Sequence, residues 1–333
     1  TCLKGNLNYY KIMFMEISFV NQQCDQVLTI LYQIREWDSK NRSLSFKEMK
    51  LKTLPVIDLS PFTDSNNFDS EFARQTVARE LHFACRDVGF FYLKGHGIPQ
   101  DTCDHVLKLA SEGYQRLGEN VTRYQKDWHE ALDYYKPIPR NHPLVVKNLP
   151  LRGENQWPTN PSEFRSVFEQ YIEHMKSLGA KVMSAIAMGI GLEHDYFAEF
   201  IDDSFWVMRV IGYPPLNSAN GLDRVKYSCG EHTDALQVKT KEGDWINVDP
   251  IPNSFVVNIG DMLNGLVSTF GRNEALFYNT IKTHANIYIM DKRIPFFYEP
   301  NFDAKIEPLS KCLEVDPISH HEGVVYGEHL LSK

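Results

Sequence analysis

The run Gly230-Glu231-His232-Thr233-Asp234 places an imidazole and a carboxylate two residues apart. On an extended strand, or at its end, residues i and i+2 project to the same side, so His232 and Asp234 would face one ion together. A second imidazole from a distant strand would complete a facial set of two histidines and one carboxylate. Such a set holds non-haem Fe(II) and leaves positions open for substrate and O2. His284 is the natural candidate, being the only histidine between Asp234 and the C-terminal tail. The spacing by itself leaves another reading open, a hydrogen-bonded surface pair. A further H-x-[DE] match, His320-His321-Glu322, occurs near the C-terminus.

Ligands of this kind need strands to position them, and the sequence supplies strands after Phe205. Residues 206–211, 236–240, 245–248, 255–259, 286–290 and 294–298 are short β-branched and aromatic runs, most of them separated by turn residues. That texture suggests a jelly roll rather than a parallel α/β sheet. Helices come earlier. Ala73, Val77, Leu81, Cys85 and Val88 repeat at helical spacing until Gly89, and a second helix is expected over residues 102–117. Phe164, Phe168, Tyr171, Met175, Leu178, Val182, Ile186 and Ile190 form an apolar stripe ended by Gly189 and Gly191. Strand-like runs at residues 54–59 and 90–93 flank the first helix, and residues 136–163 read as an irregular loop. The layout is therefore α+β, with helices packed outside a double sheet. Residues 27–34 could form a short helix or strand, but residues 1–53 otherwise carry no clear period.

Composition excludes several function classes. The chain has 333 residues, 43% hydrophobic and 23% charged, with 35 Lys+Arg against 43 Asp+Glu and a net charge of −8. A mildly acidic balance without a basic run argues against nucleic acid as a partner. No stretch of about 18 apolar residues is present to span a membrane. The six cysteines include no C-x-x-C pair, so they read as free thiols. Residues 12–20 are apolar enough to raise a signal peptide, yet Glu16 interrupts them and no small-residue cleavage pattern follows. A cytosolic protein is the expectation. Neither a G-x-S-x-G elbow nor a G-x-G-x-x-G loop occurs, and Gly95-His96-Gly97 reads as a tight turn.

Residues 54 to about 331 resemble the Fe(II)- and 2-oxoglutarate-dependent dioxygenases related to isopenicillin N synthase. The stretches that carry this are LPVIDLSPF (54–62), CRDVGFFYLKGHGIP (85–99), Tyr213-Pro214-Pro215, Glu231-His232-Thr233-Asp234, and PIPNSFVVNIGDML (250–263) with IPFFYEPNFDAKIEPL (294–309). The tail Val325-Tyr326-Gly327-Glu328-His329-Leu330 also fits. The resemblance implies a double-stranded β-helix, or jelly-roll, core over residues 201–333. Residues 54–200 would form the supporting N-terminal region, and residues 1–53 an unassigned extension. It also implies Fe(II) held by His232, Asp234 and His284, with 2-oxoglutarate as cosubstrate. The far carboxylate of 2-oxoglutarate would meet Tyr213 and an arginine, and O2 and a small-molecule substrate would complete the reaction.

Three departures from the family pattern bear on the site. Only Ala235 separates Asp234 from Leu236-Gln237-Val238, where family members carry a further core strand. A lost central strand would leave its neighbours' backbone groups unpaired. The region after Leu263 is unfamiliar, so His284 is assigned by position. Asp291-Lys292-Arg293 sets Asp where the family's arginine is expected, with Arg293 two residues further on, about 6–7 Å along a strand. Two alternatives follow from these departures: a non-catalytic family member, and an iron oxidase that does not use 2-oxoglutarate.

Overall fold

The computed structural model describes residues 15–19, 53–64, 70–110, 121–122, 125–126, 130–141, 151, 153–213, 237–239, 245–260, 263, 281–282, 291–309 and 323–332. Its strands are β1 (Met15–Phe19), β2 (Val56–Asp58), β3 (Phe90–Lys94), β4 (Val121–Thr122), β5 (Gln125–Lys126), β6 (Glu130–Tyr135), β7 (Ser204–Tyr213) and β8 (Gln237–Lys239). They continue with β9 (Trp245–Asn247), β10 (Phe255–Ile259), β11 (Ile281–Lys282), β12 (Asp291–Arg293), β13 (Phe296–Asn301), β14 (Lys305–Ile306) and β15 (Val324–Val325). The helices are α1 (Ser60–Thr63), α2 (Ser70–Phe83), α3 (Gln100–Ala110), α4 (Phe164–Gly189), α5 (Ala198–Ile201) and α6 (Tyr326–Ser332). A π-helical turn, Ala84–Val88, extends α2 to Gly89.

The main sheet has the order β12-β7-β13-β1-β10-β3-β2, with β6 also paired to β7. Among the described strands, only β2 and β3 run parallel in it. A second sheet has the order β11-β8-β9. Strand alternation gives the main sheet two faces with different partners. On one face, Tyr134 stacks on Trp157 at 4.1 Å between centroids, and its ring neighbours include Phe164 and Phe168 of α4. Gly179 of α4 lies against Tyr298 of β13, so closely that an added Cβ would come within 2.6 Å of the ring. On the other face, Phe90, Tyr92 and Val256 pack with Leu54, Val238 and Val248, joining the main sheet to the second one. Helices outside and two sheets face to face make this an α+β jelly roll.

Helix α4 forms where the apolar stripe predicts it, and all eight stripe residues are buried. Its end is a Schellman motif: the Leu192 N–H donates to the Ala187 carbonyl at 2.9 Å and the Gly191 N–H to Met188 at 3.0 Å. Gly191 supplies the left-handed φ of 72° that this motif requires.

Strand β1 departs from the sequence reading, which left residues 1–53 outside the domain. Met15–Phe19 lies inside the main sheet, antiparallel to both neighbours, with Glu16 opposite Asn258 of β10 and Phe297 of β13. The side chains of Met15 and Ile17 are fully buried. Within the apolar stretch that raised a signal peptide, Met15–Phe19 is thus a core strand. The runs at 27–34 and 286–290 lie outside the described residues. Among the described residues, no helix is long and apolar enough to cross a membrane.

Candidate active site

Strand β7 organises the face of the main sheet that looks toward the second sheet. Its alternate positions on that side are Val207, Arg209 and Ile211. Across β7, Ala131 pairs with Ile211 and Asp133 with Arg209 on β6. On the other flank, β12 sets Arg293 opposite Ile211 and Asp291 opposite Tyr213. Tyr213 and Arg293, expected to meet the cosubstrate, therefore lie on adjacent strands, two register pairs apart. Asp291 holds the position directly across from Tyr213.

The charged centre of this face is an ion pair, in which Arg209 Nε lies 2.9 Å from Asp133 Oδ1. The paired atoms Asp133 Oδ1 and Arg209 Nε are themselves buried, although side-chain exposure is 16% for Arg209 and 26% for Asp133, and Ala131 and Ile211 beside them are 2% and 4% exposed. Desolvation raises the Asp133 carboxyl above the ordinary aspartate range, although Arg209 pulls it the other way. Further along the face, Ser18 donates to Glu16 at 3.0 Å, and Glu16 and Asn258 are both buried. Sequence reading passed over Asp133 and Arg209. The available signal was a charged residue at a repeating position of two otherwise apolar or aromatic strand patterns.

In the second sheet, Gln237 pairs with Lys282 and Val238 with Ile281. His232, Asp234 and His284 lie outside the described residues. Asp234 precedes Gln237 by three residues and His284 follows Lys282 by two. Both segments therefore leave the β8–β11 ladder at the same end. Among the described residues, no group of three His, Cys, Asp or Glu side chains could hold a metal ion.

Residues 54–112 match the family model described as non-haem dioxygenase in morphine synthesis N-terminal, and residues 221–277 match the 2OG-Fe(II) oxygenase superfamily. The chain is 36% identical over 326 residues to homoarginine-6-hydroxylase 2-ODD-C23.1 of Arabidopsis thaliana, covering 85% of this chain and 96% of that protein. The chain belongs to the Fe(II)- and 2-oxoglutarate-dependent oxygenases. A homoarginine-6-hydroxylase of Oryza sativa subsp. japonica is also 36% identical, over 324 residues, covering 85% of this chain and 96% of that protein. Among solved structures, a full-length Neurospora crassa protein in complex with alpha-KG superposes with a TM-score of 0.68 at 23% identity, covering 85% and 97% of the two chains. JOX2 with 2OG, Fe and JA superposes with a TM-score of 0.64 at 21% identity, covering 93% and 94%. These superpositions bear on the fold, which is the jelly roll of this oxygenase family. As a member, the protein uses Fe(II), 2-oxoglutarate and O2 to oxidise a small molecule.

Proposed function

We propose that the chain hydroxylates a small amino-acid-like molecule, with Fe(II) held by His232, Asp234 and His284. The 2-oxoglutarate would lie between that metal and the β7–β12 ladder. The observation that carries the metal assignment is the register of β8 and β11. Gln237 pairs with Lys282 there, and in the sequence Asp234 precedes the first by three residues while His284 follows the second by two. Two imidazoles and a carboxylate form the donor set suited to Fe(II) with open positions. The bound metal and cosubstrate supply the O2 chemistry, in which 2-oxoglutarate leaves as succinate and CO2. The chain's own part is to bind and orient. Arg293, two register pairs from Tyr213 on the adjacent strand, would offer the cosubstrate's far carboxylate a bidentate, charge-assisted partner. Asp291 opposite Tyr213 opposes that dicarboxylate and weakens its binding. An amino-acid-like substrate is supported by four relatives, 33–36% identical, that are named homoarginine-6-hydroxylases. Unbridged Cys85 and Cys103 support residence in a reducing compartment such as the cytosol.

The test is metal content and succinate release by the full chain given Fe(II), 2-oxoglutarate and O2. The unaltered protein is expected to bind about one iron and release succinate slowly without prime substrate. His232→Ala and Asp234→Ala should lose both. Arg293→Met should keep the iron and weaken 2-oxoglutarate at least tenfold. Full iron binding by His232→Ala would overturn the ligand assignment, and unchanged cosubstrate affinity in Arg293→Met would remove Arg293 from the site.

A further inference from the structure

We propose that a groove between α1, α2 and the C-terminal half of α4 binds a small amphipathic anion, an organic acid with one anionic head on an apolar body. The groove lies in the helical layer and shares no residue with the proposed oxidation site, so the two readings stand or fall separately.

The groove measures about 710 Å³, a size that holds a small molecule. Its floor is apolar: Phe62 of α1, Met188 near the end of α4 and Leu192 just beyond it, all half-buried. Phe62 and Leu192 pack against the main core, which fixes the floor in place. On α2, Phe72 precedes the lining residues Gln75 and Arg79 by three and seven positions, so it shares their side of the helix. Phe72 is 74% exposed and continues the apolar surface at the edge of the groove.

The rim is cationic. Arg74 and Arg79 line it from α2 and Lys181 from α4. Three cationic side chains stand here against two carboxylates, Glu71 and Glu193, in a chain whose net charge is −8. The carboxylates do not take up the cations. Glu71 accepts from Gln75 Nε2 at 3.0 Å, and among the described residues Arg74, Arg79 and Lys181 form no ion pair.

Arg74 is held ready for a ligand. Its Nε donates to the Pro61 carbonyl at 3.0 Å, and its guanidinium lies over the Phe62 ring, 5.9 Å from the centroid. The fork is thereby fixed by one edge, while its two Nη groups meet no acceptor among the described residues. Two such groups on one rigid plane suit a carboxylate or phosphate head, and a guanidinium already positioned loses little freedom when it takes one. Lys181 is half-buried with no acceptor among the described residues, and Ser184, three residues on, adds a hydroxyl to the same lining.

Solvated cations on a protein surface are ordinary and bind anions weakly, because water and salt screen them. Here the cations border a concave apolar floor. A bare anion uses the rim alone, a hydrocarbon the floor alone, and a cationic amphiphile meets like charge at the rim. Affinity therefore needs an anionic head and an apolar body in one molecule.

Titration calorimetry tests this on the full chain loaded with Mn(II) and 2-oxoglutarate, with octanoate as the probe. Octanoate should bind at about one per chain. Octylammonium, with the head charge reversed, and acetate, with the head alone, should each bind at least tenfold more weakly. Arg74→Gln and Lys181→Glu should each weaken octanoate at least fivefold, and Leu192→Asp, which sets a charge on the floor, at least tenfold. Absence of octanoate binding, or equal binding of octanoate and octylammonium, would overturn the proposal. So would octanoate affinity unchanged in both Arg74→Gln and Lys181→Glu, each folded by thermal melting. The probe series on the unaltered chain decides the matter even where a variant fails to fold.

Discussion

His96 shows what a single side chain contributes between two glycines. Gly95 and Gly97 have φ of 61° and 75°, the left-handed values that a tight turn demands of glycine. A Cβ at Gly95 would fall on the Asp58 carboxylate and on Ser60. The imidazole between them is buried, meets Phe255 edge-on at 4.6 Å, and accepts the Ile98 N–H on Nδ1 at 3.1 Å. That bond needs an unprotonated Nδ1. Burial lowers the His96 pKa below its ordinary value, with contacts to Asn253 working in the opposite direction. A group whose folded pKa is depressed stabilises the fold above its unfolded pKa, near 6.5, and loses that contribution as pH falls through the folded value. Urea unfolding should therefore show stability falling between about pH 7 and pH 5. His82, lowered by burial and by Arg86, slopes the same way, so a variant has to separate the two. His96→Asn, which retains an acceptor for Ile98, is expected to be less stable at pH 7 yet to have a flatter acid profile. An unchanged slope in that variant would clear His96 of the effect. The turn was legible in Gly-x-Gly because backbone freedom is a local property. The burial of His96 was not, since its partners Phe255 and Asn253 come from more than 150 residues away.

Among the elements, β1 is the one on which the jelly roll depends most unexpectedly. It pairs on both edges, so its removal would expose the backbone of β10 and β13 together. Ile17 is fully buried in the main core. Ile17→Ala should cost about 2–5 kcal/mol, as large-to-small changes at buried positions do, read as a lower urea midpoint. Deleting residues 1–20 should give aggregated protein, and a synthetic peptide of residues 12–22 should restore solubility by strand addition. Normal folding of the truncated chain would show that β1 is dispensable. Helix α4 and strands β3 and β10 were legible because each announces itself in its own periodicity: seven buried stripe positions in the helix with an eighth, Ile190, at its cap, and continuous apolar runs in the strands. For β1 the local signal was present, five residues of mostly apolar type, but a short run carries no information about its place in a sheet. Its partners lie about 240 to 280 residues later, a separation that periodicity does not span.

Across the whole molecule the main sheet divides its work between its two faces. The helix-facing side holds fully buried aromatic side chains, Phe164, Phe168 and Tyr134 among them, and carries most of the stabilising apolar burial. The side toward the second sheet combines a smaller apolar cluster with Asp133, Arg209, Glu16 and Asn258. Charges placed there cost desolvation that the fold does not need, which is the pattern expected where function sets the residue rather than stability. Opposite consequences follow for substitutions on the two sides. Phe168→Ala, on the helix side, should lose about 3–5 kcal/mol through the cavity it leaves. Replacing both members of the ion pair, Asp133→Leu with Arg209→Met, should leave stability unchanged or raise it by up to about 2 kcal/mol, because two desolvated charges give way to apolar packing. Removing one member alone, as in Arg209→Met, strands Asp133 on the face and should destabilise more than the double change. Urea midpoints for the four proteins decide it: if the double variant unfolds well before the unaltered chain, the pair is a structural fastener and the division of labour between the faces is wrong.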